Sequence, residues 1–188
     1  MDSVDKNFGL LIAFGLPGFL LMAGLPEPLS TSIASVLALE CEHSVGSFLY
    51  LVPLSIGFGI GLSAIRWILV DSILHLTGLK KPMLNFAELD SKLSSYNLFV
   101  EHNYRFYQFY ANTLVAILIM LGVRLRTNQL PSTEALFWTG SLSLVLAIAS
   151  RDCLQRFYER CRILLGEVPI LLNANPQRHK YGKKKRNS

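Results

Sequence analysis

A chain of 188 residues that is 51% hydrophobic and 16% charged, with a formal net charge of +5, departs from soluble domains, in which roughly a quarter of residues are charged. Its charges are clustered, leaving four windows with 20, 23, 18 and 16 uncharged residues: Lys6 to Glu27, Glu42 to Arg66 (with His43 neutral), Arg105 to Arg124 and Glu134 to Arg151. A helix needs ~20 apolar residues to cross a hydrocarbon core, so the pattern argues against a soluble domain and for an all-α polytopic membrane protein.

The expected spans are at about 8–25, 46–68, 107–124 and 134–150. The fourth is the shortest; it needs Arg151 to snorkel and Glu134 to sit at the interface, and a buried soluble helix is its alternative. Asp2 and Asp5 beside a single Lys6 make a poor signal-peptide start, and no A-x-A site follows, so "FGLLIAFGLPGFLLMAGLPEP" reads as an uncleaved first span. Pro17, between Gly15 and Gly18, opens a backbone bond that neighbouring helices must satisfy, and a kink is expected there. Pro26 and Pro28 end the span, and "STSIASVLALE" reads as a short external helix capped by Ser30 or Thr31.

Span two holds "PLSIGFGIGLSAIRW". No strand precedes its glycines and the dinucleotide fingerprint is incomplete. Gly57 and Gly61 instead form G-x-x-x-G, a surface that lets helix backbones approach closely, within the chain or between copies; packing within the chain is the simpler expectation. Beyond it, Pro82 is a breaker, and Asn85 with Glu88 resembles a capping box. Phe86, Leu89, Leu93, Tyr96, Val100, Asn103, Tyr107, Tyr110 and Leu114 then recur at three and four. This heptad seam predicts one helix from Phe86 to about Val123, roughly 55 Å long. After span four, Leu154, Phe157, Cys161, Leu164 and Val168 make a similar stripe. Helical extensions are therefore expected at about 69–106 and 151–168, their apolar faces packed together or against other subunits. Residues 1–174 read as a single domain, followed by a disordered basic tail at 175–188.

The segment from Glu27 to Ser44 contains no Lys or Arg, whereas 16 of the 18 basic residues fall on one side if both termini are cytoplasmic. The N-in, C-in orientation follows. Lys183, Lys184, Lys185 and Arg186 of the tail could contribute ~1 kcal/mol each toward an anionic leaflet, or could serve topology alone. No folded basic domain accompanies them, so nucleic acid is not an expected partner.

The span interiors lack ionisable residues, which counts against a proton-driven transporter. Asn112 is the polar residue placed to bridge helices through its amide. The ionisable residues gather at the cytoplasmic edge as Arg66, Asp71, His75, Glu101, His102, Arg105, Arg151 and Asp152. Asp71 and His75, four apart, share a helix face; with Glu101 and His102 they could hold a metal or act as an acid–base pair. A structural network of ion pairs is the leading reading, because no HExxH, phosphate loop or Gly-x-Ser-x-Gly is present. Cys41, Cys153 and Cys161 form neither a CxxC nor an even-numbered framework, and no cofactor is expected. The aromatic residues at 104–110 are read as an interfacial belt plus bundle core.

The segments "GLPGFLLMAGL", "IRWILVDSILHLTG" and "EHNYRFYQFYANTLVA", in this order, resemble those of small integral membrane proteins of bacteria with no assigned activity. The resemblance covers the chain except its tail, implies a bacterial inner-membrane setting and supplies no catalytic residues. The expected function is a non-enzymatic scaffold, accessory subunit or oligomeric effector whose cytoplasmic helices engage a soluble partner, with homo-oligomers possible. A channel-like oligomer and a membrane-edge enzyme or metal site are the alternatives.

Overall fold

The computed structural model describes residues 9–26, 45–86, 89–129 and 131–166, and among these every regular element is helical. The external helix, Cys41, Pro28, Glu88, Val168 and the basic tail lie outside the described residues. Helix α1 runs Leu11–Gly24: a π-turn over Leu11–Gly15, then an α-helix Leu16–Gly24 with Pro17 in its first turn. The proline explains the change. It has no N–H for the carbonyl of Ala13, and its ring crowds that carbonyl in α-helical register. A wider i→i+5 turn relieves the clash, and Asn112 Nδ2 donates to the Ala13 oxygen at 3.0 Å from helix α3.

Helix α2 is α-helical over Val45–Arg66, passes through a π-turn at Trp67–Asp71 and ends as Ser72–Leu76. Helix α3 runs Asp90–Arg126, with a second π-turn at Val100–Tyr104. Helix α4 is uninterrupted over the 33 residues Thr133–Leu165, started by Ser132, whose Oγ accepts from the Ala135 N–H at 3.3 Å. The α2, α3 and α4 helices are long and apolar enough to cross a membrane. The described part of helix α1, Leu11–Gly24, is likewise apolar and adjoins residues outside the described ones. The window expected to be the shortest lies in the 33-residue helix.

Helix α3 is described from Asp90; the expected start at Phe86 and the Asn85–Glu88 cap span residues outside the described ones. The Asn85 N–H donates to the Gly166 carbonyl at 3.3 Å, tying the connecting segment to the end of α4. Two expectations are corrected. The close helix–helix approach does not use Gly57 and Gly61, whose Cβ positions are open. It uses Gly18, where a Cβ would drive into the Ser55 carbonyl, and Gly59, where it would drive into that of Phe14. Finally, the seam of α3 beyond Tyr107 runs through Ala111 and Val115, both buried, one residue later than the expected Tyr110 and Leu114, which are half-buried.

One core runs through the bundle, with Leu62 and Leu74 of α2, Tyr107 and Val115 of α3, and Leu154, Phe157 and Cys161 of α4. The apolar stripes of the extensions are therefore partnered inside the chain. The outer faces of the spans remain apolar, with Leu142, Val145 and Ile148 of α4 all exposed, as a surface in contact with lipid requires.

Candidate functional site

The end of the bundle where α2 stops, α3 starts and α4 stops (the basal end) carries the polar residues. Arg66 and Asp71 are five apart, which in an α-helix at 100° per residue would turn them about 140° from each other. The π-turn between them, closing i→i+5, stacks them instead. Arg66 Nη1 lies 3.8 Å from Asp71 Oδ1, and its guanidinium covers the Tyr107 ring at 5.0 Å. The Tyr107 hydroxyl donates to the same carboxylate oxygen. Arg66 is only 4% exposed and Tyr107 fully buried, so charge, phenol and ring form a closed brace joining α2 to α3. Arg66 Nη2 also lies 3.5 Å from Ser63 Oγ, while Nε and Nη1 have no hydrogen-bond partner among the described residues.

His75 extends this group outward. Its Nδ1 is 2.5 Å from the Asp71 backbone carbonyl. A carbonyl can only accept, so Nδ1–H donates to it. Tyr158 of α4 meets the other ring nitrogen, its hydroxyl 3.3 Å from Nε2. Burial first, and then the Asp71 carboxylate, push the Tyr158 phenol up to about 12, which keeps it a hydrogen-bond donor at neutral pH. The shared face of Asp71 and His75 is thus used to cap a backbone carbonyl and to meet α4.

Beside the brace the three helices part to leave an open cleft of about 900 Å³. Trp67, Asp71 and His75 form its α2 wall, Tyr96 and Tyr104 its α3 wall, and Phe157 and Tyr158 its α4 wall, with Lys81 at the rim. The Tyr104 and Phe157 ring centroids are 5.2 Å apart, and those of Tyr96 and Phe157 6.4 Å. The floor is therefore a packed aromatic cluster, not a set of independent rings. Lys92 Nζ, donating to the Leu164 carbonyl at 2.8 Å, holds the start of α3 against the end of α4.

Of the eight ionisable residues expected to gather here, Arg66, Asp71 and His75 come together. Glu101 and Arg105 form a separate pair at 3.8 Å, and His102 is exposed. Asp152 pairs with Arg156 at 3.0 Å on an exposed face, and Arg151 lines a different pocket. Among the described residues no three His, Cys, Asp or Glu side chains group as metal ligands. The set Asp71, His75, Glu101 and His102 is thereby corrected: Glu101 faces Arg105, and the His75 ring spans from the Asp71 carbonyl to Tyr158. Tyr107 and Tyr158 belong to the site; Tyr107 was assigned to the core seam by its spacing, and Tyr158 lay off the expected α4 stripe. Their signal was the hydroxyl, because a tyrosine in a core seam needs a hydrogen-bond partner. Compared with protein-family models, curated proteins and solved structures, the chain matches none.

Proposed function

We propose that this chain is a four-span component of a bacterial inner membrane, with both termini cytoplasmic, that works without catalysis as a scaffold or accessory subunit. Its basal cleft is the surface that engages a soluble partner. The cleft carries this reading: about 900 Å³, aromatic walls, a fixed carboxylate and histidine, and a lysine at the rim. Binding sites are concave, mostly apolar and furnished with a few placed polar groups in this way. The brace beside it favours binding over chemistry, since Arg66 and Tyr107 both direct polar atoms to Asp71 and so occupy its carboxylate. A fourth span is supported by α1, which is apolar and lies against α2 and α3 through Gly18, Gly59 and Asn112. The orientation rests on the 16 basic residues of one side, and the inner-membrane setting on the resemblance to small bacterial membrane proteins.

Photo-crosslinking in intact cells tests the reading. A photoreactive residue at Asn97, which lines the cleft, is expected to form an adduct with one soluble protein. Filling the cleft by Ser72→Trp should abolish that adduct. Adducts with lipid or with the chain itself alone would refute the partner reading. A second reading, self-association in the membrane, is favoured by the open face at Gly57 and Gly61. Gly57→Cys would then cross-link between copies in native membranes, and its failure to do so would remove that reading.

A further inference from the structure

Behind Tyr158, on the side away from the cleft, the basal end holds a second pocket of about 310 Å³. One wall is a single face of α4, where Arg151, Gln155, Tyr158 and Arg162 recur at helical spacing. The other is the turn that ends α2. Leu79 N–H bonds the Leu74 carbonyl and Gly78 N–H that of His75, each at 3.2 Å, with Gly78 at φ 97°. This is a Schellman closure, whose left-handed position glycine adopts without strain. Leu79 is buried, so the backbone of Lys80 is held in place beside α4. Lys80, Arg151 and Arg162 bring three positive charges to the pocket against one carboxylate, Glu159, which already accepts from Gln155 Nε2 at 2.9 Å.

The pocket also has a position. Arg151 is the first charged residue after the 16 uncharged positions of the α4 window, so it lies where hydrocarbon gives way to headgroups. Ile148 and Leu144, three and seven residues before it and hence on the same side of the helix, are 62% and 63% exposed. Cations at headgroup depth with an apolar strip above them match one kind of molecule at both ends.

We propose that this pocket binds the phosphate of an anionic phospholipid, with Lys80 and Arg151 on the phosphate, Arg162 adding to the field, and an acyl chain along Leu144 and Ile148. Basic pockets between spanning helices take such headgroups, and phosphate accepts charge-assisted hydrogen bonds from Arg and Lys. The inference rests on α4 crossing the bilayer, as in the proposed function, and does not need the cleft's partner.

Native mass spectrometry of the delipidated full-length protein in detergent tests it, with phosphatidylglycerol and phosphatidylcholine as probes. Wild type is expected to retain phosphatidylglycerol preferentially, and Lys80→Gln with Arg151→Gln to lower its affinity about thirtyfold, at about fivefold per cation. The Lys80→Arg, Arg151→Lys protein should bind as wild type does, which separates lost charge from lost fold. Replacing Lys183, Lys184, Lys185 and Arg186 by Ser should leave the preference intact. Equal retention of the two lipids by wild type, unchanged binding in the Gln variant, or loss of preference on neutralising the tail alone would each overturn the proposal. Displacement of the lipid by an equal concentration of glycerol phosphate would also overturn it, in favour of a free phosphate. Loss of the soluble-partner adduct leaves all of these outcomes unaffected, so the two readings fail separately.

Discussion

Replacing Asn112 by Ala removes the side chain that serves the Ala13 carbonyl at 3.0 Å. Asn112 is fully buried, so no solvent takes over the bond. An orphaned buried acceptor costs about 1–3 kcal/mol, while interhelical hydrogen bonds in membrane proteins average ~0.6 kcal/mol and reach ~1.7 kcal/mol. The Asn112 Oδ1 atom has no hydrogen-bond partner among the described residues. Deleting the amide therefore also removes one unpaired acceptor, which holds the expected loss to about 1 kcal/mol. Much of this arises because residue 17 is a proline. In a Pro17→Ala background an N–H becomes available to Ala13 in α-helical register, and Asn112→Ala should then cost little beyond its packing. The expected coupling between the two sites is about 0.5–1 kcal/mol, above the ~0.3–0.5 kcal/mol scatter of independent substitutions. The assay is reversible unfolding in mixed micelles of rising dodecyl sulfate fraction, followed by far-ultraviolet circular dichroism on the four proteins of the cycle. An equal cost of Asn112→Ala in both backgrounds would refute the link between the proline and the amide.

Three further outcomes are expected. Gly18→Ala and Gly59→Ala should each destabilise by about 1–3 kcal/mol, because the added methyl meets backbone that cannot rotate away; Gly57→Ala and Gly61→Ala, over open space, should stay within ~0.5 kcal/mol in the same assay. Asp71→Asn should cost about 3 kcal/mol, since it leaves the Arg66 guanidinium buried without a countercharge, and Arg66→Met with Asp71→Leu should recover most of that loss. In a Cys41→Ser background, maleimide at pH 8 should label half-buried Cys153 before Cys161. Burial pushes the Cys161 thiol up to about 11, so the reactive thiolate is scarce at this pH and grows only as pH rises toward that value. Mass spectrometry of the labelled peptides reads the order, and equal rates at the two sites would count against the buried position of Cys161.

The gaps between charges were sufficient to locate three helices of membrane-crossing length, because the cost of burying a charge acts on composition alone. In the described part of α1, Pro17 divides the gap into a π-turn and an α-helix, which spacing of charges does not show. The α4 stripe was legible at Leu154, Phe157 and Cys161 because that helix has no insertion to disturb its period. Arg66 was legible as a member of the polar cluster but not as a buried one, because only the neighbouring helix reveals that it is 4% exposed and faces a tyrosine ring. Gly59 was passed over for a similar reason. The G-x-x-x-G spacing of Gly57 and Gly61 marks a smooth surface, but which smooth face meets α1 depends on where Gly18 lies in space.

The two basal π-turns explain why local spacing misled and why the brace exists at all. Helix α2 keeps Leu62, Arg66, Val70 and Leu74 buried. Twelve residues at 100° each would leave Leu74 about 120° away from Leu62 in a regular helix. One residue absorbed at Trp67–Asp71 removes about 100° of that drift, so one face stays inward through the span and its extension. Helix α3 repeats the device: from Tyr96 to Val115 is 19 residues, five α-turns of 3.6 plus one residue, and the π-turn at Val100–Tyr104 takes up the excess. Two neighbouring helices thus each carry one extra residue at the same end of the bundle. The extra residue in α2 is what turns Asp71 back over Arg66, and the one in α3 shifts the buried face onto Ala111 and Val115 while Tyr107 still points at Asp71. Deleting one residue from either turn should consequently do more harm than shortening a loop, because it rotates the whole basal extension relative to its span and opens the brace.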